Sequence, residues 1–181
     1  MINEINLFNK AINSFLNNSI AIKKKKNLKK VYFVRNEQVE NFAQKINYYT
    51  ALSGLRFNFF FSGYDNNFNI PKKKYNLVII WLDYSNYKIN NEFFNWIKAK
   101  VDALANFCDY ILVKPIIKPN LSLKNIKHIN NLYKKKIKNE KVIFLDIVDE
   151  ILKNKKNFWD LKRSEFFGTK TSLYGQDLYA K

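Results

Sequence analysis

Polar side chains directly follow the apolar runs that are typical of buried strands, and these are the residues that could do chemistry. If the strands are parallel, their carboxyl ends share one edge of the sheet, where ligands bind in open α/β folds. Each residue alone is explained as well by a loop in contact with water, so the prediction of a ligand site rests on the group. The group comprises Arg35 and Asn36 after the first run, Ser62 and Gly63 after the second, Asp83 and Ser85 after the third, and Lys114 after the fourth.

Several kinds of site are not expected from these residues. The turn after the first run has no glycine-rich fingerprint and the chain has no P-loop motif, so no nucleotide cofactor is expected. One histidine and one cysteine cannot make a usual zinc site, and no metal is expected either. We expect His128, within "KNIKHINN", to be a surface or boundary residue, and Cys108 to be an inert buried thiol at the amino end of the sheet.

The elements that would position these residues alternate along the chain. Residues 1–27 are predicted to form an N-terminal amphipathic helix with a basic linker, and residues 28–181 one α/β domain. Helices are expected from Glu37 to about Leu52, from Asn90 to Phe107, from Pro119-Asn120 onward, and near 148–155 and 172–180, and strands near 30–35, 56–61, 77–82, 110–113 and 142–145. This repetition predicts an α/β three-layer sandwich around a mostly parallel five-stranded sheet.

Composition and charge limit the partners. The chain of 181 residues is 47% hydrophobic and carries a formal charge of +17, which indicates an acidic partner or a diffuse surface charge. Arginine occurs only three times, although its planar fork suits phosphate, so diffuse charge is favoured and nucleic acid is an alternative that rests on charge alone. A single cysteine fits the reducing cytoplasm, and no apolar run is long enough to span a membrane.

Four segments in order carry a resemblance to a known family. They are "FVRNEQ", "FFFSGYDN", "VIIWLDYSNY" and "FWDLKRSEFFGTKTSLYGQDLYAK". Their order and spacing resemble the SGNH-hydrolase-like fold and, more closely, the N-terminal domain of FkbH-like proteins, over about residues 28–181. The resemblance implies a flavodoxin-like or SGNH-like sheet and a downstream HAD-type catalytic domain. It also implies work on a carrier-bound or phosphorylated small acid in secondary-metabolite or surface-polysaccharide biosynthesis.

The chain departs from the SGNH pattern where the chemistry of the family sits. The nucleophilic serine of those hydrolases lies in the turn after the first strand, which here is Arg35-Asn36. The Asp-x-x-His pair of the last block is here an Asp-x-x-Arg, from Asp160 to Arg163. Because arginine stays protonated, it cannot accept the proton of a serine hydroxyl. The resemblance therefore implies a hydrolase-like module that lacks both its nucleophile and its base.

We accordingly predict an SGNH-like module without hydrolase activity that binds a small anionic substrate or an acidic carrier protein. The alternative enzyme is an acyltransferase or esterase that would use Asp83 or Asp160 as its catalytic residue, together with Arg163. Arg163 could instead form an ion pair with either aspartate that only supports the site. The predicted substrate-binding residues, expected to line one cleft, are Arg35, Asn36, Gly63, Asp83 and Arg163.

Overall fold

The computed structural model describes residues 28–52, 54–64, 71–118, 120–145 and 147–153. A five-stranded sheet crosses this part of the chain in the order β2-β1-β3-β4-β5, and every neighbouring pair of strands is parallel. This architecture confirms the predicted α/β class. The strands are β1 (Lys29–Arg35), β2 (Phe57–Phe61), β3 (Tyr75–Trp81), β4 (Cys108–Val113) and β5 (Val142–Phe144).

The helices connect the strands, and two of them begin at side-chain caps. Asn90 accepts a hydrogen bond from the Phe93 N–H at 3.0 Å, and Ser122 accepts one from the Asn125 N–H at 3.3 Å. Gly54 follows the first helix with φ of 74°, the left-handed conformation that a glycine adopts without strain. The helices are α1 (Glu40–Leu52), α2 (Asn91–Leu104), α3 (Leu123–Lys136) and α4 (Val148–Lys153), with a 3-10 turn at Ala105–Phe107.

Both faces of the sheet are covered, which makes the three layers. In β1, Tyr32 and Val34 enter the core on the α2 side, whereas Val31 and Phe33 enter the core on the α1 side. All four are at least nine-tenths buried. Strands buried on both faces are apolar at successive positions, which is why the central strands show continuous apolar runs.

The predicted element bounds differ from the structure mainly at the starts of α1, α3 and β4 and at the end of α2, and helix α3 begins at Leu123 and not at Pro119-Asn120. Helix α1 begins at Glu40 and not at Glu37, and Glu37 lies in the turn before the helix with its carboxylate bound to Lys114. Helix α2 ends at Leu104, and Cys108 is the first residue of β4 and not part of a junction before it.

Other predictions about organisation are not tested by the described residues. The N-terminal helix and basic linker at 1–27 and the helix at 172–180 lie outside them, so the division into 1–27 and 28–181 stays a prediction. Within the described ranges, no helix is both long and apolar enough to cross a membrane.

Candidate functional site at the carboxyl edge of the sheet

Three consecutive polar residues, the last of β1 and the first two of the turn after it, contact the ends of three other strands at the carboxyl edge. Arg35 binds Ser62 after β2, Asn36 binds Asp83 after β3, and Glu37 binds Lys114 after β4. In the strand order β2-β1-β3-β4, the chain passes from β1 to β2 on one side and from β3 to β4 on the other. Ligands in α/β folds bind at the carboxyl edge between two such strands, here β1 and β3. The turn is thus an organising element of this edge.

Asn36 pairs with the backbone of Asp83 as a peptide group would. Its Oδ1 accepts from the Asp83 N–H at 2.7 Å, and its Nδ2 donates to the Asp83 carbonyl at 3.1 Å. The same Nδ2 lies 3.4 Å from the hydroxyl of Tyr87. Burial raises the pKa of Tyr87, the hydrogen bond from Asn36 lowers it, and the charge of Asp83 raises it, with a net increase. The tyrosine is therefore a neutral hydroxyl at neutral pH.

Glu37 and Lys114 form a buried ion pair above the end of β3. The Lys114 Nζ donates to Glu37 Oε1 at 2.8 Å, and the side chains are 3% and 6% exposed for Glu37 and Lys114. The same Nζ lies 4.5 Å from the centre of the Trp81 ring, at the end of β3. Two charges removed from water need close pairing to offset their lost hydration, and here each supplies that partner for the other.

Arg35 turns toward β2 and is enclosed by aromatic rings. Its Nε donates to the Ser62 carbonyl at 3.2 Å, and its guanidinium carbon lies 4.8 Å from the Phe61 ring centre and 4.3 Å from the Tyr64 ring centre. Its Nη1 lies 2.6 Å from Oε1 of Glu40, the first residue of α1. The arginine side chain is 8% exposed and the glutamate side chain 39%.

The Glu40 carboxyl is held ionised by these neighbours. Partial burial acts to raise its pKa, but the Arg35 guanidinium and the backbone N–H groups of Glu40 and Val39 outweigh burial. Its pKa therefore lies below the ordinary value of 4.5. Glu40 is therefore a carboxylate at neutral pH, and it lies over the buried guanidinium of Arg35.

The two serines of this edge have their hydroxyls engaged locally. Ser62 Oγ accepts from the Arg35 N–H at 3.1 Å and donates to the Gly63 carbonyl at 2.8 Å. Ser85 donates its backbone N–H to Asp83 Oδ1 at 3.0 Å, and its hydroxyl donates to the same oxygen. Contacts between an aspartate and the residue two positions later are typical of turns, and they give the Asp83 carboxylate a positioning role here.

The structure brings together four of the predicted site residues, although their roles stay predictions. Arg35, Asn36 and Asp83 meet at the carboxyl edge, and Gly63 is an exposed neighbour of Ser62 there. Asp160 and Arg163 lie outside the described residues, so the predicted cleft with Arg163 and the Asp-x-x-Arg pair stay predictions.

Three side chains of this edge were not predicted as site residues. Glu37 and Glu40 were predicted only as helix residues and Tyr64 was not singled out, yet Glu40 and Tyr64 cover Arg35 and Glu37 binds Lys114. The sequence did contain one signal for these partners, namely the cations Arg35 and Lys114 at the ends of predicted strands. A cation that is buried at such a place needs a carboxylate beside it.

The lone histidine and cysteine make none of the contacts described above at this edge. His128 is exposed within α3, as predicted. Cys108 is buried at the amino end of β4, and burial raises its pKa to about 11, which makes the thiol unreactive. Across the described ranges, no cluster of three or more histidine, cysteine or acidic side chains could hold a metal ion.

Comparisons with known proteins support the fold. No family model matches the chain, and no curated protein matches it. A solved structure, the N-terminal part of the protein BF1531 from Bacteroides fragilis, containing a phosphatase domain complexed with Mg, is similar with a TM-score of 0.58 and 13% identity. The similarity covers 84% of this chain and 49% of that one, so the chain spans about half the length of the structure it matches. At this identity the likeness shows the fold alone.

Proposed function

We propose that this chain is an SGNH-like module without hydrolase activity that binds a small anionic substrate, or the acidic carrier that bears it, at the carboxyl edge of its sheet. We also propose that the chain is related to FkbH-like proteins and acts with a downstream catalytic domain. Its place would be in surface-polysaccharide or secondary-metabolite biosynthesis. The fold shared with part of a protein that contains a phosphatase domain supports this relation.

One observation carries the absence of hydrolysis in this proposal. The turn after β1, where an SGNH hydrolase needs its serine, is Arg35-Asn36-Glu37, and each side chain is bound to the end of another strand. A hydrolytic serine needs a neighbouring base that accepts its proton. At this edge Ser62 instead donates its hydroxyl to a backbone carbonyl.

Cationic side chains at this edge support an anionic ligand, with Glu37 and Glu40 as the carboxylates that now pair with two of them. Arg35 and Lys114 lie at the ends of β1 and β4, and Lys118 follows with its Nζ donating to the Tyr87 carbonyl at 2.9 Å. A guanidinium beside a helix N-terminus favours carboxylate or phosphate groups. The formal charge of +17 would also draw an acidic partner toward the chain.

Two measurements test the proposal. The chain is incubated with short-chain p-nitrophenyl esters between about pH 6 and about pH 9, and we expect release at the rate of buffer alone. Turnover that disappears in Asp83→Ala or Asp160→Ala would contradict the proposal and favour the alternative enzyme. Thermal unfolding with a panel of small carboxylic and phosphorylated acids should show stabilisation by at least one of them, because a ligand that binds the folded state raises its stability.

A further inference from the structure

The Glu40 carboxylate lies among donors that would suit the oxyanion of a ligand. Its Oε1 is 2.6 Å from Arg35 Nη1, and its Oε2 accepts from the Val39 N–H at 3.1 Å at the start of α1. The Tyr64 hydroxyl donates to Oε1 at 3.5 Å. A guanidinium, a backbone N–H at the beginning of a 13-residue helix and a hydroxyl are donors that bind carboxylates and phosphates in proteins.

Arg35 is incompletely satisfied by this arrangement. Its Nη1 is buried and has no aligned hydrogen bond, although Glu40 Oε1 lies within ion-pair distance. A guanidinium binds an oxyanion best through two parallel N–H donors, a geometry that the single contact to Glu40 does not provide. A buried guanidinium whose Nη1 has no aligned hydrogen bond would gain from an oxyanion that is free to orient itself toward that group.

We propose that Glu40 is an internal occupant of an oxyanion site formed by Arg35 and the N-terminal backbone of α1, and that the carboxylate or phosphate group of a ligand binds Arg35 by displacing it. The inference rests on the function proposed above. It identifies Arg35 as the anchor that binds the oxyanion of the ligand and Glu40 as the competitor that occupies the same place when no ligand is bound. The oxyanion approaches from the side of Glu40 and Tyr64, since these are the exposed side chains over the guanidinium.

The displacement needs only surface side chains to move. Glu40 is 39% exposed, and Tyr64 is 54% exposed with its ring 4.3 Å from the guanidinium. Beneath Arg35, the Phe61 ring and the Ser62 carbonyl hold the guanidinium in place. The anchor is thus fixed by the sheet, while the competitor is a side chain on the first turn of α1.

Arginine side-chain NMR tests the proposal directly. The chain has three arginines, at 35, 56 and 163, so a ¹H–¹⁵N spectrum of arginine Nε groups has at most three signals, and Arg35→Lys assigns the one at 35. Acetate and inorganic phosphate are titrated separately at constant ionic strength into the wild type and Glu40→Gln. We expect the Arg35 signal to move with an affinity roughly two- to fivefold higher in Glu40→Gln, the worth of a partly exposed ion pair.

A matched variant separates displacement from a general charge effect. Glu92 lies in the first turn of α2, as Glu40 does in α1, and is exposed. Glu92→Gln removes the same charge and should leave the affinity at Arg35 at the wild-type value.

Three results would overturn the inference. Equal affinity at Arg35 in the wild type and Glu40→Gln would refute displacement while leaving anion binding intact. An equal gain in Glu92→Gln would make the effect one of net charge. If neither anion moves the Arg35 signal in either protein, the oxyanion site and the proposed anion binding both fail. A response to acetate but not phosphate, or the reverse, supports the site and defines its ligand group.

Discussion

The Nζ of Lys114 lies 2.8 Å from Oε1 of Glu37, and the pair joins the end of β4 to the end of β1 across β3. The Trp81 ring, at the end of β3, lies 4.5 Å from the same ammonium group. Three strands of the sheet therefore share one buried electrostatic contact at their carboxyl ends. Its loss would affect the turn after β1 and, through it, the neighbouring contacts of Arg35 and Asn36.

Removing one member of this pair should destabilise the protein strongly. We expect Lys114→Met or Glu37→Gln to lower the free energy of unfolding by about 3 kcal/mol, because each leaves a buried charge without its partner. The double variant Glu37→Gln/Lys114→Met should lose less than the sum of the two single losses, because neither charge is then left buried. Urea unfolding measures all three.

The exposed ion pair of α2 is the control for this series. Lys98 and Asp102 are 49% and 42% exposed, so Lys98→Met should cost about 0.5 kcal/mol or less. If Lys114→Met and Glu37→Gln lower the free energy of unfolding by as little as this, the buried ion pair does not stabilise the carboxyl edge.

Asn36→Ala should also destabilise the fold, by about 2 kcal/mol. The substitution removes both hydrogen bonds to the Asp83 backbone and leaves that N–H and carbonyl partly buried without this partner. Chemical unfolding measures the cost, with Asn58→Ala, an exposed asparagine in β2, as the control. If Asn36→Ala lowers the free energy of unfolding no more than Asn58→Ala does, water replaces the Asn36 amide as a hydrogen-bond partner without loss of stability.

The fold was predictable from the sequence, whereas the partners at its edge were not. The run from Leu77 to Leu82 is apolar at successive positions, which indicated a central strand covered on both faces, and β3 is that strand. Glu37 was predicted as the first residue of α1, and nothing in the neighbouring sequence distinguished it from a helix residue. Its partner Lys114 is 77 residues away, so the pair follows from the strand order, which periodicity does not determine.

The contribution of Glu40 to stability should depend on pH. Its pKa is lowered in the folded state, so the carboxylate stabilises the fold above its ordinary pKa of 4.5, and this contribution is lost as pH falls through the folded-state value. At about pH 7 we expect the wild type to exceed Glu40→Gln by about 0.5 kcal/mol, a value kept small because the glutamate is 39% exposed. Urea unfolding over a series of pH values should show this difference become smaller as pH falls below 4.5; a difference that does not change with pH would contradict the ion pair.

Cys108 should react slowly with thiol reagents in the folded protein. Burial raises its pKa from an ordinary 9.0 to about 11, which lowers the thiolate fraction near neutral pH about a hundredfold. Absorbance with Ellman's reagent at about pH 8 should show slow release that becomes fast in denaturant. Equal rates in both conditions would show that the amino end of β4 is open to the reagent.

Nucleic acid should bind only weakly despite the charge. If the charge of +17 is diffuse, Kd at physiological salt should be no tighter than roughly 10⁻⁴ to 10⁻⁶ M for duplex or single-stranded DNA. Fluorescence anisotropy with labelled oligonucleotides of unrelated sequence measures this. A nanomolar complex selective for one sequence would support the nucleic-acid alternative in place of the proposed function.

The segment after β4 is bound in a way that restrains motion at this edge. Residues 114–117 are all buried, and Asn130 of α3 accepts from the Ile116 N–H at 2.8 Å and donates to the Ile116 carbonyl at 2.7 Å. The Ile116 amide should therefore exchange its hydrogen as slowly as an amide within the sheet, whereas the amide of Gly63, which is exposed, should exchange faster. We therefore expect the edge to be more rigid beside β4 than beside β2, so that adaptation to a ligand would come from the side where Tyr64 and Glu40 lie.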